Sequence, residues 1–202
     1  MALTNYTTFV STVENYLART DLTNVIPDFI QLAQTRMSRD LRTEKMLKVA
    51  TTTMVDNTVS IPADMLEVRE IHLQGNPPVI LEYQSPDLFF KNFQTTLSGR
   101  PFYFTMLGSE FQFAPQPNGN QTVQILYYSQ PTFISTTTAS NLFLANYPDA
   151  LLYATLAEAE PYLMNDGRIQ TWSALYDRAI ANIKTSDLGQ TYPYTSLSVT
   201  PR

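Results

Sequence analysis

Cysteine is absent from the 202 residues. That excludes a disulfide framework, a thiolate zinc site and a cysteine nucleophile together. Glycine is scarce, with six in the chain, and none falls in a phosphate-cradling GxGxxG or GxxxxGKS/T pattern. Basic residues are outnumbered, 13 Lys and Arg against 18 Asp and Glu. The resulting net charge of −5 and pI near 4.8 argue against a general nucleic-acid binder, which needs phosphate-neutralising surface. No apolar run approaches the roughly 20 residues of a membrane span. The opening Met1-Ala2-Leu3-Thr4-Asn5-Tyr6 has no basic region leading into an apolar core, so no secretory signal is expected. What remains is an expectation of a soluble, acidic, globular protein of one domain or two small ones. A hydrophobic content of 44% is enough to give it a core.

The most informative stretch runs from Pro148 to Ile183 and reads as two helices joined by a turn at Asn165-Asp166-Gly167. At 100° per residue, Ala150, Ala154 and Ala157 share one side of the first helix, and Leu152, Leu156, Ala159 and Leu163 share the opposite side. A helix apolar on two sides must be covered on both. The second helix carries one stripe, Ile169, Trp172, Tyr176, Ala179, Ile180 and Ile183, opposite polar Thr171, Arg178 and Asn182. The first helix is therefore central and the second lies outside it.

Earlier in the chain, Tyr6, Phe9, Val10, Val13, Tyr16 and Leu17 recur at helical spacing behind a Thr4 or Asn5 cap. Pro27 opens a second helix with the stripe Ile26, Phe29, Ile30, Ala33, Met37 and Leu41. The two read as an antiparallel hairpin. Near Glu44 the period becomes strand-like. Six or seven short strands follow between dense turn signals, with a short helix from Ser85 to Phe93 and a slip or bulge expected near Ile71. Residues 132–145 form a polar connection back to helix. The tail after Lys184 has no clear period and reads as an extended arm. The expected fold is α+β. Helical hairpins at 1–43 and 146–185 form a four-helix bundle, a small antiparallel sandwich or open barrel at 44–131 is inserted between them, and an arm occupies 186–202.

Catalytic chemistry has little material. His72, with Asp64, Glu67 and Glu70, is the sole candidate metal or general-base group, and a histidine on the polar face of a strand explains it better. Glu158 and Glu160 lie 200° apart on a helix and do not converge. No enzyme signature and no cofactor site emerge. Arg36, Arg39, Arg42, Lys45 and Lys48 form a candidate basic patch, although Asp40 and Glu44 among them fit a solvated helix end. Aromatics crowd the β block, and Phe102-Tyr103-Phe104 must present rings to both faces of a strand.

The N-terminal run LTNYTTFVSTVENYLARTDLTNVIPDFIQLAQTRMSRDLR, the phrase VSIPADMLEVREIHL, the turn Gly99-Arg100-Pro101 and above all LLYATLAEAEPYLMNDGRIQTWSALYDRAIANI resemble the head-to-tail adaptors of tailed bacteriophages, of the tail tubular protein A or head-completion type. The resemblance covers most of Leu3 to Ile183, in order. It implies a structural virion protein, made in the host cytoplasm, with no enzymatic activity and no membrane. It implies a dodecameric ring around the DNA channel, in which double-stranded DNA passes without sequence-specific binding. Portal protein, neighbouring adaptor subunits and a tail nozzle or tube protein are the implied partners. Ala150, Ala154, Ala157, Leu152, Leu156, Trp172 and Tyr176 would pack the bundle or the subunit boundary. The arm, with Tyr192, Tyr194, Leu197 and Val199, would dock on the portal. The alternative is a carbohydrate- or protein-binding module whose β domain offers exposed aromatics; a carboxylate hydrolase stands third.

Overall fold

The computed structural model describes residues 3–54, 56–93, 98–164 and 166–191. The chain divides into two compact units, one built from residues 1–45 and 131–202 and the other from 46–130.

The first unit is helical. Helix α1 (Tyr6–Leu17) starts at Asn5, whose side chain accepts from the Thr8 N–H while the Thr8 hydroxyl accepts from the Asn5 N–H. This reciprocal capping satisfies two otherwise unmade donors. Ala18 closes the helix in the left-handed region at φ 51°. Helix α2 (Ile26–Asp40) has Pro27 in its first turn, where no N–H is needed. Within the expected polar connection lies a five-residue helix, α4 (Leu142–Asn146), capped by the Asn141 side chain. Helix α5 (Pro148–Ala159) follows, then turn residues 160–164, then α6 (Asp166–Thr191).

Helix α5 is the hub. It packs against α2 and α6 most extensively and touches α1 and α4. Eight of its twelve residues are buried, which is why its apolar positions run around the whole cylinder. Helices α1 and α2 touch each other little, so they form less of a hairpin than expected and share α5 as support. Two boundaries differ from expectation. Helix α5 stops at Ala159 rather than Leu163, ahead of Pro161, which has no N–H to continue the ladder. Helix α6 begins at Asp166 and runs on to Thr191, so residues 186–191 are helical rather than part of an extended arm.

The second unit is β-rich. A short 3-10 turn over Glu44–Met46 leads into it. Strands β1 (Leu47–Met54), β10 (Gln121–Ser129), β3 (Met65–Leu73) and β4 (Val79–Ile80) form one sheet in that order. Strands β2 (Thr58–Ser60), β8 (Glu110–Ala114), β7 (Tyr103–Leu107) and β5 (Glu82–Tyr83) form the other. The expected strand over Val79–Tyr83 is split between them: β4 pairs with β3, buried Leu81 intervenes, and β5 pairs with β7. The irregularity expected near Ile71 lies lower in β3, where Arg69 and Leu66 are extra residues against β10. The pairing is antiparallel except for two two-residue contacts, β5 with β7 and β6 (Ser98–Gly99) with β9 (Gln116–Pro117), which are parallel. Helix α3 (Pro86–Asn92) packs on β7.

One core joins the sheets. Ile71, Leu73, Val123, Ile125 and Tyr127 from the first meet Val59, Phe104, Phe111 and Phe113 from the second. Alternating positions on each strand supply these side chains, as a sheet with one buried face requires.

Candidate functional site

The helical unit concentrates its polar chemistry where α2, α5 and α6 meet. The Tyr176 hydroxyl of α6 donates to Asp40 Oδ2 at 2.6 Å. The Arg36 guanidinium lies 4.4 Å from the Tyr176 ring centroid and reaches Glu158 of α5 at 3.5 Å and Asp40 at 4.0 Å. Tyr176 is only 1% exposed. Burial, and then the Asp40 carboxylate, push its phenol well above the ordinary tyrosine range. The arrangement places a cation on an aromatic face, a phenol on a carboxylate and a second carboxylate on the cation. Each group in it is engaged by another, so the arrangement is a clasp between helices.

A second cluster sits around the single tryptophan. Trp172 stacks on Tyr153 of α5 at 6.3 Å and meets Tyr16 of α1 edge-on at 6.1 Å. Its indole N–H donates to Glu160 Oε1 at 3.0 Å. Glu160 is 1% exposed, and its Oε2 is enclosed without a hydrogen-bond partner among the described residues. The 200° separation of Glu158 and Glu160 therefore gives them separate environments, one on Arg36 and one under Trp172.

The residues singled out in the sequence fall into three groups. Ala150, Ala154, Ala157, Leu152 and Leu156 are all buried within the chain itself, Tyr176 is buried, and Trp172 is partly so. Ala154 has no accessible surface left for a neighbour. The five basic residues are dispersed. Arg36 belongs to the clasp, and Arg42 donates to the Ser38 and Leu41 carbonyls at 2.7 Å. Lys45 donates to Asn146 Oδ1, Lys48 belongs to the β unit and pairs with Asp64 at 2.7 Å, and Arg39 is exposed. Tyr192, Tyr194, Leu197 and Val199 lie outside the described residues.

In the β unit, Asp64 is committed to Lys48 and to the Tyr127 hydroxyl, which donates to it at 2.9 Å. His72 Nε2 meets Gln124 Oε1 at 2.7 Å, and its Nδ1 lies 3.4 Å from Glu70. Among the described residues no three His, Asp or Glu side chains converge as metal ligands. Of the aromatics, Phe104, Phe111 and Phe113 are core, whereas Tyr83, Phe90 and Phe102 are exposed. No helix among the described residues is long and apolar enough to cross a membrane.

The sequence reading missed the Gln34 node. This buried amide of α2 accepts from the Ile134 N–H at 2.8 Å and from Asn141 Nδ2 at 2.9 Å, pinning the 132–141 connection to the helix. Its only sequence signal is a polar residue one position past Ala33 on the apolar stripe of α2.

Over residues 4–200 the chain matches the family described as SU10 adaptor protein. No curated protein matches it. The match spans both units and reaches beyond α6. It carries the adaptor assignment and does not extend to the narrower tail tubular protein A type.

Proposed function

Because the chain belongs to the SU10 adaptor protein family, a phage structural protein rather than a known class of enzyme, we propose that it joins the portal vertex of a tailed phage to the tail. In this reading helices α1, α2, α5 and α6 form the bundle that stands beside its copies around the DNA channel. The bundle forms a dodecameric ring under the portal, DNA passes through it without base-specific contact, and the β unit meets neighbours or the tail nozzle. The protein acts in the virion, at the head–tail junction. The observation that carries the reading is the family match over almost the whole chain, both units included.

The buried Ala150–Ala157 face serves the bundle, so neighbour contacts fall to side chains that the chain leaves uncovered. Tyr16, Leu32, Tyr162 and Met164 of the helical unit are such residues, with Met164 90% exposed and held at φ 54°. The net negative charge suits a channel wall that repels DNA and does not retain it.

Residues 192–202 are assigned to the portal as a docking arm. Removal must begin after Thr191. Starting at Ser186 would also delete Asp187, whose carboxylate accepts from the Glu44 N–H at 2.9 Å. The test is electron microscopy of the chain mixed with its portal rings. Full-length chain should add ring density beneath the portal, and the chain truncated after Thr191 should fold and add little. A chain that leaves portal rings bare would sink the head–tail reading. Equal decoration by both chains would remove the arm from it.

A further inference from the structure

Helix α2 has two unlike flanks. On one, Pro27, Gln31 and Gln34 lie within about 60° of one another and line two adjoining hollows, of about 590 and 450 Å³. The larger runs along α1, with Tyr6 and Val10 as apolar walls, and Glu14 is the only charged residue lining it. The smaller has no charged residue. Each is within the size range of sites that hold ligands.

The other flank carries a protrusion. Tyr162 meets Phe29 of α2 edge-on at 5.5 Å, and Phe29 lies about 200° round the helix from Pro27. The turn 160–164 therefore stands on the flank of α2 away from the hollows and is not placed to fill those of its own chain. Leu32, about 140° from Pro27, shares this flank. Leu32 and Tyr162 are both about half exposed. Met164 is 90% exposed, and its backbone sits at φ 54°, which L residues adopt at a cost. A methionine held out in water at that cost is suited to packing into an irregular apolar hollow. Arg168, in the first turn of α6, is exposed and makes no ion pair with a described side chain. Asp166 opens that helix, where the helix's own N–H groups favour a carboxylate.

We propose that the hollows receive the α5–α6 turn of a second copy of this chain, with Met164 in the larger hollow and Arg168 at Glu14. Charge complementarity is one argument: the hollows offer a single carboxylate, and the protrusion offers a single uncommitted guanidinium. Glu14 already accepts from the Thr23 hydroxyl at 2.7 Å, and a carboxylate has room for a guanidinium as well. Placement is the second argument. A protrusion on one flank of α2 and a hollow on the other make a head-to-tail contact, in which each copy gives its turn to one neighbour and its hollows to the next. Such a contact does not stop at two copies, and it closes into a ring where the rotation allows. The proposal rests on the head–tail reading for the ring and names the contact between its subunits.

The chain has no cysteine, so a short bismaleimide can read the contact. Ser11→Cys marks the larger hollow. Gly167→Cys marks the protrusion, where an added side chain meets nothing within 4 Å. Both are made in the full-length chain, singly and together, checked for native Trp172 emission, and cross-linked as concentrated chain alone and on portal rings. The two single variants should cross-link only when mixed, and stop at a pair. The double variant should give a ladder from two copies upward. Met164→Asp in the double variant should cut the ladder at least about tenfold. Glu14→Arg or Arg168→Glu should cut it about threefold, and the two together should restore it. A single variant that cross-links to itself overturns the proposal, as does a double variant that cross-links only within one chain. Adaptor rings on the portal without a ladder overturn it too and leave the head–tail reading standing. A ladder from the concentrated chain beside bare portal rings upholds the contact and sinks that reading.

Discussion

The hydroxyl of Tyr176 and the carboxylate of Asp40 are 2.6 Å apart, and that single bond ties α6 to the C-terminal turn of α2. Tyr176→Phe keeps the ring under Arg36 and removes the bond. Asp40 is partly exposed and regains water, so the loss should be about 1 kcal/mol, read as a lower urea midpoint with an unchanged slope. The phenol is held above its ordinary value of 10 in the folded state, which therefore binds the proton more tightly than the unfolded chain. This stability is complete below pH 10 and declines as pH rises past it. In Tyr176→Phe that share of the alkaline decline should vanish.

The β unit has its own alkaline and acid limits. Burial, then Asp64, push the Tyr127 phenol up to about 12, so its contribution falls away as pH climbs from 10 toward 12. Asp64 is held below the usual carboxylate range, first by Lys48 and then by Tyr127. Its contribution is present above that range and is lost as pH falls through the folded value. Lys48→Met should raise the Asp64 titration midpoint, measured by carboxyl NMR. The pair is substantially exposed, so stability at neutral pH should change by less than about 1 kcal/mol.

Ala154→Glu places a carboxylate at a position with no accessible surface, between α5 and its neighbours. The helical unit should lose about 3 kcal/mol or more. A red-shifted Trp172 emission at low urea reports it, and a native spectrum with wild-type stability would contradict the packing described here.

Glu160→Gln tests the enclosed carboxylate. The amide oxygen still accepts from the Trp172 indole, while the amide nitrogen takes the place of the enclosed Oε2, which has no partner among the described residues. Its unpaired N–H groups should cost the helical unit about 1 kcal/mol or more, seen as a lower urea midpoint by Trp172 fluorescence. Glu160→Ala, which leaves the indole N–H unpaired and opens a cavity, should lower the midpoint as well.

Much of the architecture was legible because it rests on periodicity. The stripe Ile26 to Leu41 and the two-sided α5 declare their faces, and the Thr- and Val-rich β1 declares its alternation. What escaped was set by partners distant in sequence. Nothing between Val79 and Tyr83 says that half belongs to each sheet, since β3 and β7 decide it. The length of α6 was misjudged because Ser186 to Thr191 carry no apolar stripe; a helix already nucleated continues through such residues until something stops it. The candidate patch from Arg36 to Lys48 looked continuous in sequence. The structure gives Arg36 to Tyr176 and Glu158, residues more than a hundred positions away, and no local pattern encodes such a choice.

The first and last strands of the β unit are hydrogen-bonded neighbours, with Leu47 opposite Tyr128. Their Cα atoms are thus about 5 Å apart, so the whole of residues 46–130 hangs from a two-stranded neck. A tension drawn through that neck loads the β1–β10 ladder from one end, one rung at a time, as a zipper is opened; it does not shear all the rungs together. Leu47 and Tyr128 form the first rung, and substitutions there set the force at which the unit begins to open.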